Sequence, residues 1–387
     1  MTNILIFYGP TNEFEIIINN YKENALSLYE MLETTKGGVK GNEETTIVLK
    51  EYYESIIINS TDFANLSETG LRILNHMLTL FVRHFNIKYI FMQNPTELIE
   101  KNLKLMVDNN KEYDLEIRKH KYPKITKELL VEIYRHYSSH IIGQESVKEE
   151  ILSALYKLYK KRNKDEPLVI MFYGPSGVGK TESVNYISKI LADKQPFRAQ
   201  MSMFQNSKSL DYLFGEDHNA KSFALDLLER ETNIILLDEF DKTFDTVYSA
   251  FYQMFDEGVF EDRNFKVNLE DAIIICTSNY SNNNDIRNTI GAPLFYRFNK
   301  LIKFQPLDKK SIFSIIDLIY RDSINELDEE ERVIVNESGL IDHVKNKIDT
   351  ILDYSTPNYR QIKNTIEDLI NSLLIEELIS IVEKNEN

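Results

Sequence analysis

The sequence predicts an α/β chain: a parallel sheet flanked by helices, followed by a helical domain and preceded by a small α/β domain of its own. Three observations carry that reading. The apolar run Leu168 to Tyr173 leads into a glycine-rich loop and then into a stretch with Val184, Ile187, Ile190 and Leu191 on one helical face. A second apolar run, Asn233 to Leu237, ends in two acids, as a central strand of such a sheet does at its carboxyl edge. Beyond residue 307 the periodicity is helical, with Ile312, Ile315, Ile316 and Ile319 on one face and Ile362, Ile366, Leu369, Ile370 and Leu373 on another.

The loop is Gly174-Pro175-Ser176-Gly177-Val178-Gly179-Lys180-Thr181. A phosphate tail needs many donors converging on one point, and glycines let successive backbone N–H groups curl around it without side-chain clash. Lys180 adds a point charge and Thr181 a hydroxyl for Mg²⁺. The helix that opens there, with Glu182 in its first turn, aims its positive end at the anion. A nucleoside triphosphate is therefore the expected ligand. The acids that close the second run are Asp238, expected to hold the Mg²⁺ shell, and Glu239, one residue on and expected to polarise an attacking water.

The 387 residues, 42% of them hydrophobic, leave room for two or three domains. The expected boundaries are 1–125, 130–305 and 307–387. In the first block Ile4 to Tyr8 reads as a strand, Tyr21 to Leu32 as a helix and Thr45 to Asn59 as β-rich. Leu71, Leu74, Leu78, Phe81 and Phe85 line one helix face before the strand Tyr89 to Met92. The charge-rich stretch Asp108 to Lys127, with Lys119, Lys121 and Lys124 around Pro123, reads as a linker. The opening Ile6-Phe7-Tyr8-Gly9-Pro10 echoes Met171-Phe172-Tyr173-Gly174-Pro175. Without the glycine and lysine continuation it reads as an ordinary strand-to-helix turn, not a second nucleotide site.

A net charge of −16 disfavours nucleic acid as a partner. One cysteine, Cys276, excludes internal disulfides, and seven scattered histidines show no metal-ligand spacing, so a reducing cytoplasm is the expected compartment. No stretch approaches membrane-spanning length, and the first residues lack the pattern of a secretion signal.

With these motifs placed, residues from about 135 to 385 resemble the AAA+ ATPases, specifically the Clp/Hsp100 branch. Ile141-Ile142-Gly143-Gln144 looks like the segment that packs against adenine in that family, and Leu237-Asp238-Glu239-Phe240-Asp241-Lys242 like its acidic signature. Ile273 to Asn279 resembles the strand that ends in a polar sensor, which makes Asn279 a candidate contact to the γ-phosphate or the water. Pro293-Leu294-Phe295-Tyr296-Arg297-Phe298 is similar to the segment whose arginine enters a neighbour's active site, with Tyr296 where the family has asparagine. The resemblance thus implies Arg297 as an arginine finger. Asn358-Tyr359-Arg360-Gln361-Ile362 resembles the start of the lid's sensor helix and puts Arg360 on the phosphates. It also implies ATP and Mg²⁺ as ligands and a ring of identical subunits, a hexamer in this branch.

The branch's aromatic pore motif is missing between the cradle and the acidic strand, where Leu213 to Lys221 is short and acidic. Tyr212 and Phe214, the nearest aromatics, read as core anchors, and the hairpin Glu261 to Lys266 is expected to offer Phe265 to a substrate. Two function classes follow. One is a remodelling ATPase that reshapes a protein substrate. The other is an ATP-driven switch or scaffold controlling a partner effector through the first domain, as in bacterial defence.

Overall fold

Two separate five-stranded sheets organise the chain. The computed structural model describes residues 1–36, 52–66, 68–160, 166–205, 207–215, 221–243, 245–351 and 359–386. In the first sheet the strands are β1 (Thr2–Tyr8), β2 (Ala25–Ser27), β3 (Ser55–Ile58), β4 (Tyr89–Gln93) and β5 (Tyr113–Lys119), in the order β2-β3-β4-β1-β5 and parallel throughout. In the second they are β6 (Leu168–Tyr173), β7 (Phe197–Gln200) and β8 (Ile234–Asp238). After the two-stranded hairpin β9 (Val259–Glu261) and β10 (Lys266–Asn268) come β11 (Ile273–Ser278) and β12 (Lys300–Lys303). This sheet runs β12-β6-β11-β8-β7 and is also parallel throughout.

Parallel sheets are covered on both faces, so their central strands are continuous apolar runs. Every residue of β6 and of β11 is buried, and Cys276 in β11 is fully enclosed, which pushes its thiol well above the usual range. Helix Lys180–Ala192 packs on one face through Val184, Ile187 and Leu191. The other face gathers a phenylalanine-rich cluster around Phe223, Phe240, Phe251 and Phe260. Each such side chain contributes about 1.5–3 kcal/mol by leaving water.

The carboxyl-terminal helices are Lys309–Asn325, Glu329–Glu337, Leu340–Ile351 and Tyr359–Glu386. Asp308 starts the first by accepting the Ser311 N–H at 2.7 Å, and Asp328 starts the second in a reciprocal capping arrangement with Glu331. Ile312, Ile316, Ile319, Ile362, Ile366 and Ile370 are buried in one cluster that continues into the second sheet's core, with Ile315, Leu369 and Leu373 partly buried against it.

The first block departs from expectation in two places. The stretch Tyr21 to Leu32 is not one helix: a 3₁₀ turn Asn19–Tyr21 is followed by β2 and then by helix Leu28–Lys36. The supposed linker contains strand β5, which pairs with β1 at the sheet edge. Its alternating Asp114, Glu116 and Arg118 face outward, as an edge strand permits. Of the β-rich Thr45 to Asn59, residues 45–51 lie outside the described residues, and β3 occupies Ser55–Ile58. Helix Glu68–Phe85 buries Leu71, Leu74, Leu78 and Phe81, with Phe85 partly buried.

Candidate functional site

β6 ends directly in the glycine loop, which turns back into the helix at Lys180. Gly174 has φ +137°, and a Cβ there would stand 2.4 Å from the Phe304 carbonyl oxygen, so only glycine fits. Gly177 and Gly179 hold φ of 77° and 94°. Val178 is buried and roots the loop in the core, while Ser176 and Gly177 are exposed at its tip and Pro175 is half-buried.

Lys180 Nζ donates to the carbonyls of Gly174 at 2.8 Å and Pro175 at 2.5 Å, and to Asn279 Oδ1 at 3.1 Å. Burial pushes its pKa down to about 8, against the pull of the Asp241 and Asp238 carboxylates. Asn279 follows the end of β11, and its N–H donates to Asp241 Oδ2 at 3.3 Å. Asn279 and the loop lysine are therefore in direct contact.

Asp238 closes β8 and is only 5% exposed. Its Oδ1 accepts from the Thr181 hydroxyl at 3.3 Å and from the Thr277 hydroxyl, and its Oδ2 from Arg198 at 2.5 Å. A carboxylate beside a hydroxyl at the loop mouth suits Mg²⁺, which keeps waters and phosphate oxygens as its remaining ligands. Glu239 does not continue the strand. Its backbone is left-handed, φ 55° and ψ 47°, a conformation that costs a non-glycine residue on the order of 1 kcal/mol. Its N–H donates to Thr277 Oγ1 at 3.0 Å, which fixes the turn.

Behind the loop, buried Gln144 donates to the carbonyls of Val178 at 3.3 Å and Gln305 at 2.9 Å, and accepts the Gln305 N–H at 3.1 Å. Ile141 is buried next to Gly179, and Ile142 is half-buried. Glu182 is exposed on the first turn of the loop's helix. At the start of the last helix, burial pushes the Tyr359 phenol up, against the pull of Lys363. The Arg360 side chain lies outside the described residues.

The partners of Arg297 are not cradle residues. Its guanidinium pairs with Asp256 at 2.7 Å, donates to the Pro293 carbonyl at 2.6 Å, and stacks 4.7 Å from the Tyr252 ring centroid. Phe265 is 4% exposed inside the phenylalanine-rich cluster, which corrects its expected role as a substrate contact. The Tyr212 hydroxyl donates to Asp226 at 2.6 Å, while Phe214 is exposed. The sequence reading passed over two residues, Thr277 and Arg198. Each is a polar residue near the carboxyl end of a strand that flanks the acidic one, and that is the signal that would have found them.

Comparison with known proteins adds context to this geometry. The family described as AAA domain (Cdc48 subfamily) matches residues 165–381. Chaperone protein ClpB of Tropheryma whipplei is 27% identical over 234 residues, covering 54% of this chain and 33% of that protein. ClpB of Clostridium tetani is 27% identical over 282 residues, covering 65% and 32%. The ATP-binding Clp protease subunit ClpL of Staphylococcus aureus is 27% identical over 231 residues, covering 52% and 32%. The chain thus spans about a third of the length of the curated relatives it matches. A closed-state reconstruction of Hsp104 with ATPγS and FITC casein shares the fold, with a TM-score of 0.55 at 15% identity, over 99% of this chain and 89% of that one.

Proposed function

The chain belongs to the AAA+ ATPases of the Clp/Hsp100 branch, and from that premise we propose that it hydrolyses ATP as an oligomeric ring to reshape a protein substrate. The observation that carries this reading is the convergence of Lys180, Asp238 and Asn279, from three separate segments, on one glycine cradle. Thr181 and Asp238 are the residues to hold Mg²⁺, which supplies positive charge to the phosphates when bound.

The chain's own groups do the rest. Backbone N–H groups of the loop Gly174 to Thr181, all but that of Pro175, which has none, cradle the phosphates, with Lys180 on the terminal ones. Ile141 and Ile142 flank the base, and Glu182 borders the site. Glu239, turned off its strand by the left-handed kink, orients the water in line, and Asn279 fixes the γ-phosphate beside Lys180. Arg297, whose partners lie outside its own cradle, serves the adjoining subunit, and its planar fork spreads over the equatorial oxygens during transfer. Arg360 reports nucleotide state to the helical lid, residues 307–387. Because Arg297 acts in trans, a lone subunit turns over slowly, and assembly, a hexamer by family likeness, is part of catalysis. The names of ClpB, a chaperone, and ClpL, a Clp protease subunit, support a protein client, and the proposed compartment is the cytoplasm. Among the described residues no helix is long and apolar enough to cross a membrane.

The test is to purify the Glu239→Gln chain with ATP and to read both assembly mass and co-purifying protein. A ring holding a trapped polypeptide is expected; turnover at the wild-type rate would reject the assignment. A second reading, an ATP-driven switch acting on a partner effector through residues 1–125, is favoured by one observation. Tyr212 and Phe265 are tied into the core, which removes two aromatics from any gripping role. A stoichiometric enzyme partner in place of a trapped client would select it.

A further inference from the structure

The two sheets have the same plan. Read from the edge, the first is built in chain order as fifth, first, fourth, third, second, and so is the second once β6, β7, β8, β11 and β12 are counted the same way. In each, the first strand ends in Tyr-Gly-Pro and pairs that tyrosine with a lysine of the fifth: Tyr8 with Lys119, Tyr173 with Lys303. In each, the next residue of the fifth strand returns its N–H to the tyrosine carbonyl, His120 to Tyr8 at 2.7 Å and Phe304 to Tyr173 at 2.8 Å. Those residues also crowd the glycines, since a Cβ on Gly9 would meet His120 Cβ at 2.6 Å.

The matched registers locate what differs. Ile6 pairs with Met92 and Ile58 with Met92, as Met171 pairs with Cys276 and Leu237 with Cys276. Asn59 and Ser60 therefore stand where Asp238 and Glu239 stand in the second sheet. Ser176 to Gly179 have no counterpart, because helix Thr11–Ile18 starts immediately after Pro10. The space between the strand ends is filled by buried neutral groups. Asn94 donates to the Gly9 carbonyl at 3.0 Å and to Ser60 Oγ at 3.2 Å and accepts the Gly9 N–H at 2.9 Å, while Gln93 donates to the Gly9 carbonyl at 3.1 Å.

The helix end that would have faced phosphate faces protein carboxylates. Asn12 Nδ2 donates to Glu231 Oε1 at 2.6 Å and the Thr11 hydroxyl to Glu229 Oε1 at 3.4 Å. Between those acids, Arg230 is 5% exposed, with its guanidinium 4.6 Å from the Tyr122 ring centroid and its carbonyl accepting the Tyr122 hydroxyl at 3.3 Å. Glu231 also pairs with Lys194 at 3.0 Å. This segment leads straight into β8, the strand that delivers Asp238.

We infer that residues 1–120 repeat the ATPase fold with its phosphate site closed, and that the vacated helix end now docks the Glu229–Glu231 segment, making the repeat a brace for the acidic strand. The closed site is tested by counting labelled ATPγS bound to the full chain at saturation. One per chain is expected, falling to none with Lys180→Ala; two per chain, or binding that survives Lys180→Ala, overturns it. The dock is tested by hydrogen exchange of the full chain, followed by mass spectrometry. Asn12→Asp sets like charges together, and is expected to speed exchange in helix Thr11–Ile18 and in residues 229–233 about three- to tenfold. Adding Glu231→Lys is expected to reverse most of that rise. Unchanged exchange in Asn12→Asp, or no reversal in the pair, overturns the docking.

Discussion

Both sheets use one strand order and one register, yet their carboxyl edges have opposite character. The second edge gathers Lys180, Asp238, Asp241 and Asn279 around an open glycine loop. The first is closed by Asn94, Gln93 and Ser60, all neutral and nearly inaccessible. The difference teaches that apolar strands set the scaffold, whereas a handful of residues just past the strand ends decide whether it holds a charged ligand. A site is removed by deleting loop residues and replacing two acids, and the core remains intact.

The comparison is most exposed to substitutions that act on one sheet's site and spare the other. Arg297→Ala is expected to lower ATP turnover by about 10³-fold or more while leaving nucleotide affinity near wild type. Mixed assemblies with Glu239→Gln subunits should recover activity; steady-state hydrolysis of the mixtures checks this, and no recovery removes the trans assignment. Next in size, Glu239→Gln should reduce turnover about 10²- to 10³-fold with ATP retained, whereas Ser60→Ala, at the matched position, should leave turnover within about twofold. An equal loss from both would break the contrast between the sheets.

The third effect concerns pH. Burial lowers the Lys180 pKa to about 8, and phosphate favours the ammonium. Below that pH the lysine is already charged, so affinity is flat. Above it a proton must be taken up on binding, and the ATP Kd is expected to rise by up to about tenfold per pH unit. The free fold responds in the other sense. The unfolded chain keeps this proton up to the ordinary lysine range, so it binds more protons than the native state above pH 8, and stability contributed by this group rises with pH there. Calorimetric titrations with ATP from pH 7 to 9.5, in two buffers of different ionisation enthalpy, measure both affinity and proton uptake; a flat Kd without uptake would contradict the buried ammonium. Smallest is Asn94→Ala, which leaves the buried Gly9 N–H without its acceptor. It should cost about 1–3 kcal/mol in denaturant unfolding and leave hydrolysis near wild type. A matched loss of hydrolysis would place the first domain in the chemistry.

Local features of the site were legible in the sequence, because the glycine loop, the lysine and the two acids occupy contiguous runs with a strand before them. The α/β class was legible for the same reason, since buried parallel strands are unbroken apolar segments such as Leu168 to Tyr173. What was missed depended on distant pairing. β5 reads as charged linker because an edge strand tolerates Asp114, Glu116 and Arg118, and β2 is only Ala25–Ser27, too short to interrupt an apparently helical stretch. The Tyr-Gly-Pro echo was visible, but its meaning lay in strand order and register, which no local window contains. Thr277 and Arg198 gain their roles only when β11, β8 and β7 lie side by side around Asp238.

The single cysteine has a practical consequence. Cys276 sits in the central strand between Met171 and Leu237 with its thiol enclosed and hard to ionise, so the folded chain resists alkylating reagents. A fluorophore directed at an engineered surface cysteine will therefore label one place only, and the slow reaction of the native thiol will serve as a clock for how often the heart of the ATPase sheet comes apart.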